Sequence, residues 1–290
     1  MQSADQSDGP FDRASRRLRR DRAATYDGDA RFLLRRAADE LLDRLDLVAR
    51  RFGRALDLGC GDGYLTGRLR ARGIEVDPVD AGPRFAARAD GACADEDRRS
   101  WGDGVYDLIV SVGVLDTVND LPGALTLVRR ALRPDGFFLA ALAGAGSLPS
   151  LRLALRAAEE AGGRPASPRL HPQIDVRAAG DLLTRAGFAL PVVDCDGVEV
   201  RYSGFARLIA DLRGMAGANI LTARDRRPFG RKELAAAMVT FEEQAAADGK
   251  IVERFEILHL SGWAPGPGQP QPARRGSGTV SLAETLKPKR

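Results

Sequence analysis

Seven consecutive residues, Asp57-Leu58-Gly59-Cys60-Gly61-Asp62-Gly63, put an acid in front of three glycines at two-residue spacing. Glycines so placed let the backbone turn tightly and approach a ligand with no Cβ in the way. The apolar run Ala55 to Leu58 leads in and a helical pattern from Tyr64 to Arg72 leads out. That is the strand-loop-helix setting a nucleotide-binding loop requires. A dinucleotide fingerprint would carry its third glycine at position 64, which is Tyr64 here, and would use the helix start for a pyrophosphate. The acid two residues before the first glycine points instead to a cationic ligand without phosphate, because Asp57 can take the ammonium of a methionine moiety directly or through water. The loop is therefore read as a site for S-adenosylmethionine.

Two further acids fall where such a ligand would need them. Asp80 ends a second strand, in position to accept the ribose hydroxyls, and Asp95 follows a third strand, in position to accept from the adenine amino group. The expected cofactor-binding set is Asp57, Gly59, Gly61, Gly63, Asp80 and Asp95. No catalytic residue is assigned, since methyl transfer depends mainly on aligning an acceptor with a reactive carbon. A nicotinamide-linked dehydrogenase is the weaker alternative.

Other chemistry-bearing residues read more plainly. Cys60, Cys93 and Cys195 are odd in number and far apart, which suits a reducing compartment, and with only His171 and His259 beside them no metal-ligand spacing appears. Cys60 lacks a neighbouring His or Lys to activate it and reads as a small loop residue. His171, just before Pro172, reads as a turn residue, and His259 as a hydrogen-bonded histidine within a strand. Tyr202 and Trp263 read as core packing ahead of an acceptor-lining role. The cluster Arg224, Arg226, Arg227, Arg231 and Lys232 reads as a solvated face ahead of a docking patch.

The elements that must position the loop form an alternation. An amphipathic helix spans Phe32 to Val48 and ends before Gly53; strands follow at Ala55 to Leu58, Glu75 to Asp80, Tyr106 to Ser111 and Phe137 to Leu142, separated by helical stretches that include one near Arg84 to Ala89 and one starting near Asp120. A helix at Leu148 to Ala161 and another capped by Asp175 come next, then β-rich runs at Leu190 to Asp194 and Val198 to Tyr202, a helical insertion over about 204–248, and a last strand at Phe255 to Ser261. The pattern predicts an α/β protein of Rossmann-like form: a mostly parallel seven-stranded sheet flanked by helices, with a helical insertion before the last strand. The expected organisation is a flexible N-terminal segment over 1–28, one domain over 29–263, and a flexible Pro/Gly/Arg-rich tail over 264–290.

At 290 residues the chain is long enough for one such domain. A net charge of +4, with acids interspersed among the arginines, falls short of a nucleic-acid footprint, and no apolar run is long enough to span a bilayer. The basic cluster from Arg16 to Arg22 is flanked by Asp12 and Asp21 and followed by no apolar run, so a cytoplasmic protein is expected.

With these motifs in place, the chain resembles the class I methyltransferases, among them the malonyl-carrier methyltransferase of biotin synthesis. Val118-Asn119-Asp120-Leu121-Pro122-Gly123-Ala124-Leu125, Leu132-Arg133-Pro134-Asp135-Gly136, Arg185-Ala186-Gly187-Phe188, Asp211-Leu212-Arg213-Gly214-Met215 and Arg275-Gly276-Ser277 resemble the mitochondrial complex I assembly factor 5 group and its alphaproteobacterial relatives. The resemblance implies an S-adenosylmethionine-binding protein with a protein substrate, an arginine of a complex I subunit, in a reaction described for that group as hydroxylation; a carrier-linked acceptor or a non-methylating assembly role are the alternatives. Leu115-Asp116-Thr117-Val118 lacks the aromatic ring of that group, and Gly144-Ala145-Gly146-Ser147-Leu148, with Ser150, lacks two of its acids.

Overall fold

The structure, a computed structural model, describes residues 9–26, 28–163, 165 and 167–270. Helix α1 (Arg13–Ala23) and helix α2 (Phe32–Asp46) precede the alternating units β1 (Arg54–Leu58), α3 (Tyr64–Arg70), β2 (Glu75–Asp80), α4 (Pro83–Arg88), β3 (Ala92–Cys93), β4 (Tyr106–Val112), α5 (Leu121–Ala131) and β5 (Leu132–Ala143). Then come α6 (Pro149–Gly162), α7 (Val176–Arg185), β6 (Ala189–Tyr202), α8 (Phe205–Gly214), α9 (Arg231–Glu242) and β7 (Ile251–Trp263). The seven strands form one sheet in the order β3-β2-β1-β4-β5-β7-β6. β7 runs antiparallel to both its neighbours, and the pairings among β1 to β5 are parallel. The mostly parallel seven-stranded sheet and the helical insertion before the last strand are as the alternation predicts.

Alternation along the central strands sorts side chains between two cores, because successive residues of a strand face opposite ways. Leu56, Leu58, Ile109, Phe138 and Ala140 enter the core beneath α5 and α7, while Ala55, Leu108, Val110, Leu139 and Ala141 enter the core beneath α2 and α3. Strands β6 and β7 outrun the rest of the sheet: residues 251–256 pair with 197–202 alone. Onto that two-stranded extension Leu151, Phe205, Leu208 and Phe241 of the later helices pack, giving a third core. Burying each such side chain contributes about 1.5–3 kcal/mol, which fixes the insertion to the sheet.

Three expectations need correction. The two β-rich runs between Leu190 and Tyr202 are one strand, since Cys195, Asp196 and Gly197 stay in register with β7. The segment read as irregular through residue 28 contains α1, capped by Asp12, whose side chain accepts from the Ser15 N–H at 2.9 Å. Its inward face is made of Arg13, Arg16 and Arg20 rather than apolar residues, so no hydrophobic period announces it. His259 is buried in β7, and neither ring nitrogen finds a partner among the described residues. Burial therefore lowers its pKa and keeps the ring neutral. Residues 1–8 and 271–290 of the expected flexible ends lie outside the described residues, whereas Ala264 is buried and exchanges backbone hydrogen bonds with Asp135 and Gly136.

Candidate functional site

The loop after β1 takes the shape its glycines allow. Gly59, Gly61 and Gly63 have φ of +80°, +56° and +81°, the left-handed region where a side chain is strained. Gly59 is doubly constrained, because a Cβ there would collide with the side chain of Val114. Gly61 donates its N–H to Asp80 at 3.0 Å, and Gly63 caps α3. Over this turn lies a small cavity of about 50 Å³, lined by Asp57, Gly59, Gly61, Leu34, Arg31 and Arg35 among others.

Asp57 is 1% exposed, and its Oδ2 accepts from the Thr66 hydroxyl at 2.6 Å. Burial pushes its carboxyl up to about 7, the Thr66 hydroxyl opposes that shift, and the charge of Asp80 adds to it. A carboxylate in this state gains from a cation brought against it. Arg31 and Arg35 hold the opposite sign at the cavity wall: both reach Asp62, at 3.0 and 3.3 Å, and Nε of Arg35 has no partner among the described residues. An acid facing two guanidinium groups across a small cavity fits a zwitterionic amino-acid tail. Cys60 is an inert part of the wall, its thiol raised well above the ordinary range by burial and by Asp57 and Asp80.

Asp80 and Asp95 stand differently. Asp80 is fully buried, and its two oxygens accept from Arg20 Nε at 2.7 Å, Arg20 Nη2, the Gly61 N–H and the Gly82 N–H at 2.7 Å. Burial works to raise its pKa, but the charge and bonds of Arg20, with the two backbone donors, outweigh it and hold the carboxyl below its usual value. Asp95 receives Arg17 at 2.5 Å, next to Arg16 on Glu96 at 2.7 Å and Arg13 on Asp97 at 2.6 Å. The four arginines at positions 13, 16, 17 and 20 share one face of α1 and meet four acids on the ends of β2 and β3. The structure thus brings Asp57, Gly59 and Gly61 to the cavity, leaves Gly63 as the cap behind it, and holds Asp80 and Asp95 beneath α1. Every acceptor position of Asp80 is already used, so a ribose diol can reach it only once Arg20 has let go. Sequence reasoning missed this arginine face; the 3- and 4-residue spacing of the arginines after Asp12 was the signal for it.

A second, larger cavity of about 180 Å³ adjoins the first, and Arg20, Leu34, Val112 and Met215 line both. Its walls are mainly apolar, from Leu33, Leu142, Leu148, Ile220 and Ile257, with polar residues that include Arg16, Asp116, Arg169, His171 and Glu256. Its roof joins distant parts of the chain: Phe11 and Leu221 form an antiparallel bridge, Asp12 N–H donates to Ile220 at 2.8 Å, and Arg224 reaches Asp12 at 3.0 Å. His171 supports that roof, stacked edge-on against Phe11 at 5.3 Å and accepting from the Ile220 N–H; burial lowers its pKa to about 4, so it is neutral. Arg224 is tied into this roof rather than solvated, whereas Tyr202 is buried in the third core and Trp263 stacks on Phe137 at 4.2 Å, neither lining a cavity.

Two acids of β7, Glu256 and Glu253, lie against the segment after β5. A Cβ on Gly146 would run into the Glu256 carboxylate, and the N–H groups of Ser150 and Leu151 donate to Glu253 at 3.2 and 2.8 Å. Glu253 is fully buried and serves as an anionic cap for α6.

A family profile described as a methyltransferase domain matches residues 29–191. Curated relatives extend over nearly the whole chain. The zebrafish (Danio rerio) "Arginine-hydroxylase NDUFAF5, mitochondrial" is 33% identical over 96% of this chain and 89% of its own length, and the mouse (Mus musculus) protein of the same name is 35% identical over 96% and 84%. The "Malonyl-[acyl-carrier protein] O-methyltransferase" of Laribacter hongkongensis is 30% identical over 88% and 87%. Among solved structures, the YcgJ protein of Bacillus subtilis superposes with a TM-score of 0.54 at 13% identity, covering 80% of this chain and 99% of its own, which bears on the fold alone. Sheet order, glycine loop, profile and relatives agree, and the chain belongs to the methyltransferase domain family, whose cofactor is S-adenosylmethionine.

Proposed function

We propose that the protein is an S-adenosylmethionine-dependent enzyme acting on a protein side chain presented in the larger cavity, with an arginine of a respiratory complex I subunit as the substrate. One observation carries the reading: the glycine-loop cavity, lined by Asp57, adjoins a second, mainly apolar cavity, with four residues lining both. A reactive group held at the first site would face an acceptor lodged in the second, which is the alignment group transfer requires. The vertebrate relatives named arginine-hydroxylase favour a protein arginine, since they match more of the chain and at higher identity than the carrier methyltransferases do.

When bound, the cofactor supplies an electrophilic methyl group on a sulfonium. Asp57 would hold its ammonium and Arg31 or Arg35 its carboxylate, while Gly59 and Gly61 keep the floor free of side chains. Asp80 would take the ribose hydroxyls after release of Arg20, and Asp95 would serve the adenine edge. Leu34, Val112 and Met215 line the junction with apolar surface, which would limit water there. The carrier methyltransferases supply a second reading, a carrier-linked acceptor. All three cysteines are free thiols, which supports a cytoplasmic location that cell fractionation would check.

Incubating the purified protein with methyl-labelled S-adenosylmethionine and an extract lacking the endogenous copy is the test. Label on a protein is the expected result; label on an acyl carrier would favour the second reading. Hydroxylated arginine without label, seen by mass spectrometry of the same extract, would replace methyl transfer by the reaction named for the relatives. No modified product of any kind would defeat the proposal.

A further inference from the structure

The polar groups around the larger cavity are unequal in what they have left to offer. Three arginines line it, and each is already engaged. Arg16 donates to Glu96, Thr117 and the Val114 carbonyl, Arg20 is held by Asp80, and Arg169 lies on Glu159 with its guanidinium 4.4 Å from the Phe229 ring centre. His171 is neutral and accepts from a backbone N–H. Glu256 has Arg254 at 3.8 Å and Gly146 packed beneath its carboxylate.

Asp116 is the exception. It sits in the short turn Leu115–Thr117 after β4, beside the cavity wall formed by Val112 and Gly113, and it lines that cavity. Its Oδ1 is sealed from solvent and has no hydrogen-bond partner among the described residues. Burial pushes its carboxyl up, against the pull of its own backbone N–H and of the more distant Arg16 and Arg20, so the site favours whatever restores the ionised form. A buried acceptor without a donor is costly and is kept where a partner arrives from outside.

We propose that Asp116 is a specificity-determining residue of the acceptor site, whose cavity-lining carboxylate receives the cationic head of the acceptor side chain, a guanidinium. The proposal rests on the reading of this cavity as the acceptor site and adds to it the residue and the charge that select the acceptor. A guanidinium is planar, permanently charged and rich in donors, and its aliphatic stem would lie against Leu142, Leu148 and Ile257. A neutral head of the same shape would forgo the charge-assisted bond to Asp116 and bind more weakly.

The test pairs the intact protein and its Asp116→Asn variant with two small probes, Nα-acetyl-arginine amide and its neutral isostere Nα-acetyl-citrulline amide. Binding is followed by ligand-observed NMR with and without S-adenosylhomocysteine. The arginine amide should bind the wild type about tenfold more tightly than the citrulline amide, as one charge-assisted hydrogen bond predicts, and Asp116→Asn should erase that preference. The same variant should melt at a higher temperature than the wild type, because it removes a buried unpaired carboxylate; a merely structural aspartate would lower it. Equal binding of the two amides by the wild type, no saturable binding of either, or a preference surviving in Asp116→Asn would overturn the proposal. Loss of S-adenosylhomocysteine binding with the arginine preference intact would instead fault the cofactor reading.

Discussion

Acids beside the two cavities live in opposite circumstances. On the ends of β2 and β3, Asp80, Asp95, Glu96 and Asp97 are each ion-paired with an arginine of α1, although Asp95 Oδ1 and Glu96 Oε1 have no hydrogen bond of their own; Asp116, which lines the larger cavity, has both an oxygen without a hydrogen bond and no ion pair among the described residues. The first set is compensated charge for charge, and freeing it requires withdrawing α1. The second is an acid kept ready. Burial alone therefore does not separate the two kinds of carboxylate; the presence or absence of a charged partner does.

The largest expected effect tests the paired side. Asp80→Asn leaves the buried guanidinium of Arg20 without its counter-charge and should cost about 3–5 kcal/mol in chemical denaturation, whereas Asp116→Asn should cost nothing. If the two variants lost the same stability, the contrast between the regions would be broken. Asp57→Asn should weaken S-adenosylmethionine binding by about 1–3 kcal/mol in calorimetry.

The pH dependence of Asp57 sharpens the same point. Its folded pKa, about 7, lies above the unfolded value, so the stability it contributes is full below about pH 4 and lost as the pH rises through 7. An ammonium ligand binds the ionised form, so affinity should strengthen over that rise and binding should release a proton. Proton release of equal size in Asp57→Asn, measured in buffers of different ionisation enthalpy, would assign the effect elsewhere. The smallest effect belongs to Arg17, whose side chain is 46% exposed: Arg17→Ala should change stability by less than about 1 kcal/mol, and the change should shrink further in high salt.

What could be read from the residues follows the same division. Strand β2, the glycine loop and the insertion were legible because apolar spacing and glycine placement report directly on backbone geometry. Helix α1 was not, because its buried face is arginine and its reason for folding lies about 60–80 residues away in the acids it meets. Cofactor residues were legible as types at strand ends, but the state of Asp80 was not, since a carboxylate's partners are fixed by tertiary contact. Asp116 stood out in the sequence only as the loss of an aromatic ring. The single strand β6 was hidden by Asp194 and Asp196, acids that suit an exposed edge and interrupt an apolar count.

The bridge between Phe11 and Leu221 ties a segment made at the start of translation to one made more than two hundred residues later. While the ribosome is still working through β5, the glycine loop and its neighbouring strands can already assemble and Asn119 can already hold Phe11 by two hydrogen bonds, but the bridge partner Leu221 and its neighbours Ile220 and Arg224 do not yet exist. A nascent chain therefore passes through a stage in which α1 can be clasped while the roof over the larger cavity is still missing, and ligand supplied at that stage would be enclosed once residues 220–224 arrive.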